Sequence, residues 1–546
     1  MKRIFTLLTV LLTVLGMNAR PVFAASNTDQ AELKITNIEG NPTVTLYKIG
    51  EGVYNATNDS FIRFDYASGV KLTETGPTAE EITNIANGIL DNTIQAKASK
   101  VLQVTNGTAT YRATGAGVYI AILTGATDGR SFNPILLAAS YNGEGKLTGG
   151  SVDSKAKYLY GQTSVAKSTL PSIDKTVSGV TADADKNSAS LGQVLTYSLN
   201  VTLPSYPTQA KNKTIFISDT MSEGLTFDYA SLTISWNGQT LIADTTGQFK
   251  TQGDILIAKA VKVGNGFNLA FVYDNLNEIA PVVTYKGIIN DKAVVGGTGN
   301  ANKAEFFYAR NPNSGNTYED PNNKPNPQND NTIVNKEDSE TVYTYQIAFK
   351  KVDSITKAPL AGAVFGIYSD AETKQLVDIV TTNADGYAIS TKVGKGTYYL
   401  KEITAPTGYS LNTNVYTAEA SWTSATTTSS ASSTRSEYTS VVGEAKDSTQ
   451  VGWLKHNVFY KLDNKPEGTD VQAAYLKATT TTAQNTTVTT TNPTAGAGTV
   501  SIADVPNTKL GELPSTGGMG IYLFTFIGVL VLTVGLGLYF TKNKKA

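Results

Sequence analysis

Polar and apolar residues alternate with a period of two along much of the chain. Thr43-Val44-Thr45-Leu46-Tyr47, Thr196-Tyr197-Ser198-Leu199-Asn200-Val201 and Tyr345-Gln346-Ile347-Ala348-Phe349 are three instances. Runs of β-branched and aromatic residues bounded by Gly, Asn, Asp and Pro predict strands with one buried face. One stretch departs from that period, from about Thr78 to Lys97. Its acids Glu80 and Glu81 stand ahead of Ile82, Ile85 and Ile89, which share one helical face, so a single helix is predicted there. The fold class expected is all-β: three tandem immunoglobulin-like β-sandwich domains in an extended rod.

Two apolar runs are too long for strands, and both lie at chain ends. Ile4–Leu15 follows Lys2 and Arg3 and gives way to Val22-Phe23-Ala24-Ala25. A basic start, an apolar centre and small residues at the end predict a secretory signal peptide over residues 1–24. The second run, residues 521–540, is followed by a basic tail at 541–546. It is long enough to cross a hydrocarbon core of about 30 Å, with the lysines kept on the cytoplasmic side. Directly before it stands Leu513-Pro514-Ser515-Thr516-Gly517. This pentapeptide, with span and tail, resembles the sorting signal that sortases of Gram-positive bacteria cut between Thr and Gly. The resemblance implies that Thr516 becomes an acyl donor, that the transmembrane segment is removed, and that the protein is secreted and anchored to the cell wall.

Composition narrows the chemistry further. The chain has 546 residues, 17% of them charged, with net charge −1. No basic excess supports nucleic-acid binding. There is no Cys and only one His, so disulfides, thiolate metal sites and multi-histidine metal centres are excluded. No metal, no cofactor and no enzyme turning over an external substrate is expected. A secreted protein without disulfides needs some other covalent or packing device to hold its domains. Junction-like stretches at Val165–Pro171 and Asn311–Glu340 divide the body. The expected domains are 25–166, 167–312 and 341–509, with a linker at 313–340. Ser/Thr-rich stretches at 423–439 and 479–491 read as surface insertions.

The last domain carries two linked signatures. One is Ile347-Ala348-Phe349-Lys350-Lys351-Val352-Asp353 followed by Pro359-Leu360-Ala361-Gly362-Ala363-Val364-Phe365. The other is Tyr398-Tyr399-Leu400-Lys401-Glu402-Ile403-Thr404-Ala405-Pro406-Thr407-Gly408-Tyr409. Together they resemble collagen-adhesin B-type domains and the E-box of Gram-positive pilins. In that family a first-strand Lys joins a last-strand Asn through an intramolecular isopeptide bond, with a nearby Glu or Asp as catalyst. The resemblance implies Lys351 and Asn507 as partners and Glu402 as the acid. The residues suit that chemistry. Ile347, Phe349 and Lys351 share one strand face, which turns Lys351 inward and Lys350 out to water. Burial lowers a lysine's pKa towards a neutral nucleophile and raises a carboxyl's. The competing reading is a buried ion pair, which must offset several kcal/mol of desolvation per ion.

The middle domain starts Pro171-Ser172-Ile173-Asp174-Lys175-Thr176-Val177. It continues through Ile217-Ser218-Asp219-Thr220 and closes with Ala304–Pro312. These segments resemble the middle domains of pilus backbone subunits. The resemblance implies Lys175 and Asn311 as bond partners and Asp219 as the acid, with Glu223 as the alternative acid. In the first domain, Gly115–Leu123 has no carboxylate where the E-box places Glu. No isopeptide bond is expected there, and that domain should be the softest.

A polymer also needs an exposed nucleophile on another subunit. By the same resemblance Lys167, in Val165-Ala166-Lys167-Ser168, holds the place of the pilin-motif lysine, with Lys155 and Lys157 as rivals. The function implied is the backbone of a covalent pilus serving adhesion, each Thr516 joined to Lys167 of the next copy. Implied partners are other copies of itself, pilin-class and housekeeping sortases, accessory pilins and peptidoglycan. The alternative is a monomeric wall-anchored adhesin, which would lack the linking lysine. A surface hydrolase would need paired carboxylates, and those found here stand beside lysines.

Overall fold

The computed structural model describes residues 25–57, 60–142, 147, 158–422, 438–455, 458–462, 465–477 and 498–511. The expected signal peptide at 1–24, Lys155, Lys157, residues 513–517, the apolar segment 521–540 and the basic tail lie outside the described residues. Strands dominate what is described. The chain divides into two compact units. The first holds the described residues up to Gly179 with Val194–Ile288 and Ala301–Glu340. The second gathers Val180–Gln193 and Ile289–Asn300 with the chain from Thr341 onward. Two segments of the expected middle domain thus group with the expected third domain.

The first domain packs two sheets face to face. One is ordered Thr163–Val165, Gln30–Thr36, Thr108–Thr114, Val104–Thr105. The other runs Tyr160–Gly161, Ile135–Ser140, Gly117–Thr124, Thr43–Tyr54, Phe61–Tyr66, with Ala98–Leu102 also on Thr43–Tyr54. The strand Gly117–Thr124 is apolar throughout because both of its faces are covered. Tyr119, Ala121 and Leu123 meet Leu33, Ile35 and Leu137 between the sheets. Val118, Ile120 and Ile122 meet Ile85, Ala86 and Ile89 of the helix.

That helix is Ala79–Leu90, shorter than the pattern predicts. Its start is fixed by a capping box: Thr78 accepts from Glu81 N, and Glu81 accepts from Thr78 N at 2.9 Å. It stops because Asn92 turns to φ +60°, a conformation helices do not continue through.

The middle domain is a second sandwich. One sheet is ordered Ser172–Ser178, Val194–Thr202, Val282–Ile289, Leu225–Trp236, Gln239–Ile242. Facing it, Asn300–Ala309, Ile215–Met221, Gly266–Phe271, Leu256–Val263 and Gln248–Lys250 lie side by side.

The expected linker at 313–340 is corrected. Ile333–Tyr343 is a strand, and the residues before it are tied to the middle domain. Lys213 N donates to Thr317 Oγ1 at 2.9 Å, Tyr318 N to Thr214 Oγ1 at 3.0 Å and Asn268 Nδ2 to Pro321 O at 3.0 Å. The polar composition that reads as solvated linker is satisfied by protein instead.

In the third domain Gln346–Asp353 pairs antiparallel with Tyr387–Ile389 and parallel with Thr499–Ser501 and Val505–Asn507. The opposing sheet is Leu376–Thr381, Val364–Tyr368, Gly396–Thr404, Val415–Ala420. Between the two Ser/Thr-rich stretches the chain builds a further sheet from Tyr438–Thr439, Gln472–Lys477, Ala445–Lys455 and Val458–Lys461. Thr439, read as part of an insertion, is a buried member of that sheet.

Candidate functional site

Strand alternation places Lys351 where the sequence puts it. Ile347 and Phe349 are core residues, and Lys351 is 0% exposed between the sheets. Lys350 points the other way, its ammonium 5.1 Å from the Tyr387 ring. Parallel pairing sets Lys351 opposite Val505 and Asp353 opposite Asn507. Residues two apart share a face, so Asn507 stands on the Lys351 side. Lys351 Nζ donates to Asn507 Oδ1 at 2.7 Å and to Pro506 O at 3.3 Å.

Glu402 comes from Gly396–Thr404 of the opposing sheet and is buried. Its Oε1 is 3.1 Å from Lys351 Nζ, and Asn507 Nδ2 donates to Oε1 and Oε2 at 3.0 Å each. Asn412 fixes the carboxylate from behind, its backbone N donating to Oε2 at 2.7 Å. The amine, the amide and the carboxylate therefore meet pairwise in a water-excluded core. Burial lowers the Lys351 pKa, and Glu402 opposes that shift.

A second cluster lies in the middle domain. Lys175 is buried on Ser172–Ser178 and Asp219 on Ile215–Met221. Lys175 Nζ donates to Asp219 Oδ2 and, at 2.7 Å, to the Tyr285 hydroxyl. Burial lowers the Lys175 pKa against the pull of Asp219. Burial also raises the Asp219 pKa against Lys175, Tyr285 and Asn302. Both shifts favour a neutral amine beside a neutral carboxyl.

The structure does not bring Asn311 to Lys175. Asn311 follows the strand Asn300–Ala309, where its N bonds Thr332 O at 3.4 Å. Asn302, at the other end of that strand, is the asparagine in the cluster. Its Nδ2 donates to the Tyr285 hydroxyl at 3.0 Å. The ladder pairs Asp219 with Ala304 and Met221 with Asn302, so Asn302 shares the inward face of Ala304. Glu223, the alternative acid, is exposed in the turn beyond Met221. Two buried oxygens, Asp219 Oδ1 and Asn302 Oδ1, have no hydrogen-bond partner among the described residues.

Among the described residues of the first domain, the buried polar side chains are Thr83, Asn87, Ser131 and Ser140, none of them a lysine. Lys167 is exposed. It lies between Thr163–Val165, which pairs with Gln30–Thr36, and Ser168–Thr169, which pairs with Ser131–Phe132. Ala166 N donates to Thr36 O at 2.8 Å and Asn133 N to Lys167 O at 3.2 Å. The backbone is thus held on both sides of an exposed side chain.

Family comparisons follow the same division. Residues 28–168 match the T6 antigen Ig-like domain, 345–434 a prealbumin-like fold domain and 505–546 the LPXTG cell wall anchor motif. The trypsin-resistant surface T6 protein of Streptococcus pyogenes serotype M6 is 55% identical over 538 residues, covering 98% of this chain and 99% of that one. The chain belongs to the T6 family of backbone pilins. The solved T6 backbone pilin of serotype M6 Streptococcus pyogenes, described as a modular three-domain structure with variable loops and extensions, superposes with TM-score 0.78. It is 55% identical over 89% of this chain and 100% of that one. The major pilin SpaD of Corynebacterium diphtheriae shares the fold at TM-score 0.50 and 15% identity, over 89% of this chain and 98% of that one. This pilin is a structural subunit of a cell-surface pilus, anchored to the wall through its LPXTG motif.

Proposed function

We propose that this pilin is stapled by two intramolecular isopeptide bonds, Lys351–Asn507 and Lys175–Asn302, and joined to its neighbours by a third amide. The observation that carries the reading is the Lys351, Asn507 and Glu402 cluster, in which amine and amide stand 2.7 Å apart. A neutral Lys351 amine attacks Asn507 Cγ. Glu402 Oε1, 3.1 Å from Nζ and 3.0 Å from Nδ2, takes the proton from the amine and passes it to the leaving nitrogen. The Cγ–Nδ2 bond breaks, ammonia leaves, and the carboxyl is returned unchanged. Each site acts once, on its own chain, and needs no cofactor. Asp219 is the buried acid of the Lys175 and Asn302 site.

Between subunits, a pilin-class sortase forms an acyl intermediate at Thr516 and Lys167 of the next copy attacks it. A head-to-tail contact that does not close yields a filament. The housekeeping sortase joins the last subunit to peptidoglycan, and accessory pilins complete the fibre. The domain division that goes with this reading is 25–166, 167–340 and 341–509, without a free linker. Peptide mapping of native fibres tests the scheme. It predicts linked peptides for Lys351–Asn507, Lys175–Asn302 and Lys167–Thr516, and unlinked peptides at all three sites would overturn it.

A further inference from the structure

We propose that Tyr285 is a catalytic residue of the middle-domain bond, relaying a proton from the Lys175 amine to the departing amide nitrogen of Asn302. The proposal rests on the Lys175–Asn302 reading above and assigns that site a fourth member.

Every polar group of the cluster converges on the one phenol. Its oxygen lies 2.7 Å from Lys175 Nζ, 3.0 Å from Asn302 Nδ2 and 2.5 Å from Asp219 Oδ2. A phenol offers one donor and two acceptors, and all three are in use. The two nitrogens it touches are the nucleophile and the leaving group of the proposed reaction. In the third domain a single carboxylate oxygen, Glu402 Oε1, stands at 3.1 Å and 3.0 Å from the corresponding atoms. The middle domain has an aspartate in place of that glutamate, one methylene shorter. The phenol oxygen takes the bridging position that Glu402 Oε1 holds in the third domain.

The relay balances. As the Nζ–Cγ bond forms, the phenol O–H turns from Asp219 to Nδ2, gives up its proton there and accepts one from Nζ. The Cγ–Nδ2 bond breaks, ammonia leaves and the tyrosine is regenerated. Asp219 is left to hydrogen-bond the carbonyl oxygen as it gains negative charge. Burial raises the Tyr285 pKa well above its ordinary value, so the phenol stays protonated until the relay moves it. The ring is fixed by its neighbours. It stacks on Tyr197 at 5.7 Å and takes the edges of Phe227 and Phe267 at 5.7 and 5.0 Å. A hydroxyl held this way needs only to rotate.

Tyr285→Phe removes the hydroxyl and keeps the ring. Pulse-labelled full-length chain is sampled over time and digested, and the two linked peptides are counted. Expected is a middle-domain bond slowed by about 100-fold or more, with the Lys351–Asn507 bond forming at its wild-type rate. Middle-domain closure at the wild-type rate overturns the relay. A wild-type chain that never yields the Lys175–Asn302 peptide instead sinks the bond itself. Packing is separated from catalysis in a Lys175→Met background, where no bond forms. There Tyr285→Phe should leave the melting temperature close to that of Lys175→Met alone. A large drop would make the slow closure a folding defect and overturn the proposal.

Discussion

Lys351 and Asn507 are 156 positions apart in the chain, yet Lys351 Nζ lies 2.7 Å from Asn507 Oδ1. Their strands run parallel and adjacent. An amide between them would close nearly the whole third domain into one covalent loop. Pulling on the ends of such a domain loads the covalent bond rather than its hydrogen bonds.

Glu402→Gln keeps the shape of the site and removes its acid–base group. The Lys351–Asn507 bond should then fail to form, and intact mass should rise by close to one ammonia. By analogy with disulfide closure, a loop of this span contributes about 5 kcal/mol through the unfolded chain. Scanning calorimetry should show the third-domain transition lowered by roughly 10–20 °C. An unchanged mass and transition would remove Glu402 from the reaction.

Asn302 and Asn311 make opposite predictions. Asn302→Ala should abolish the middle-domain bond and retain one ammonia, while Asn311→Ala should leave the mass loss intact. Mass spectrometry of the two variants decides the assignment, and the reverse pattern would restore Asn311.

Lys167→Ala should abolish the high-molecular-weight ladder in SDS-treated wall extracts and leave the subunit folded. The side chain is exposed and its backbone is tethered through Asn133. A ladder that persists at wild-type intensity would move the linkage to another lysine.

Asp353 gives the third domain a defined acid response. Backbone N–H groups of Thr356 and Ile355 hold its pKa at about 2, below its ordinary 3.8. A depressed carboxylate stabilises the fold above its unfolded pKa and loses that effect as pH falls through the folded value. Asp353→Asn should therefore be less stable than wild type at neutral pH. The gap in melting temperature should close between about pH 4 and pH 2. A gap independent of pH would place the effect of Asp353 in its hydrogen bonds rather than its charge.

Much of this architecture was legible, and the exceptions have physical causes. The Lys351 strand could be read because period-two alternation turns one lysine in and its neighbour out. Asn302 carries the same signal. In Asn300–Ala309, Asn302, Ala304 and Phe306 are buried while Lys303 is exposed and Glu305 half-buried. Motif position points to Asn311 instead, beyond the strand's end. Tyr285 lies on an equally regular strand with Val283 and Ile289 inward. A tyrosine there reads as core, and only packing against Lys175 and Asp219 gives it chemistry. The stretch 313–340 reads as a linker because composition reports polarity, not where the hydrogen bonds go. The capping box at Thr78 fixed one end of the helix, while the end at Leu90 depended on one asparagine turning left-handed.

Two intramolecular bonds cost each folded chain two asparagine amide nitrogens. Intact mass of the folded, unpolymerised protein tests it most directly. Expected is a mass below that of the unmodified chain by two ammonia molecules, with Lys175→Ala and Lys351→Ala each restoring one. A wild-type mass equal to the unmodified chain would contradict it.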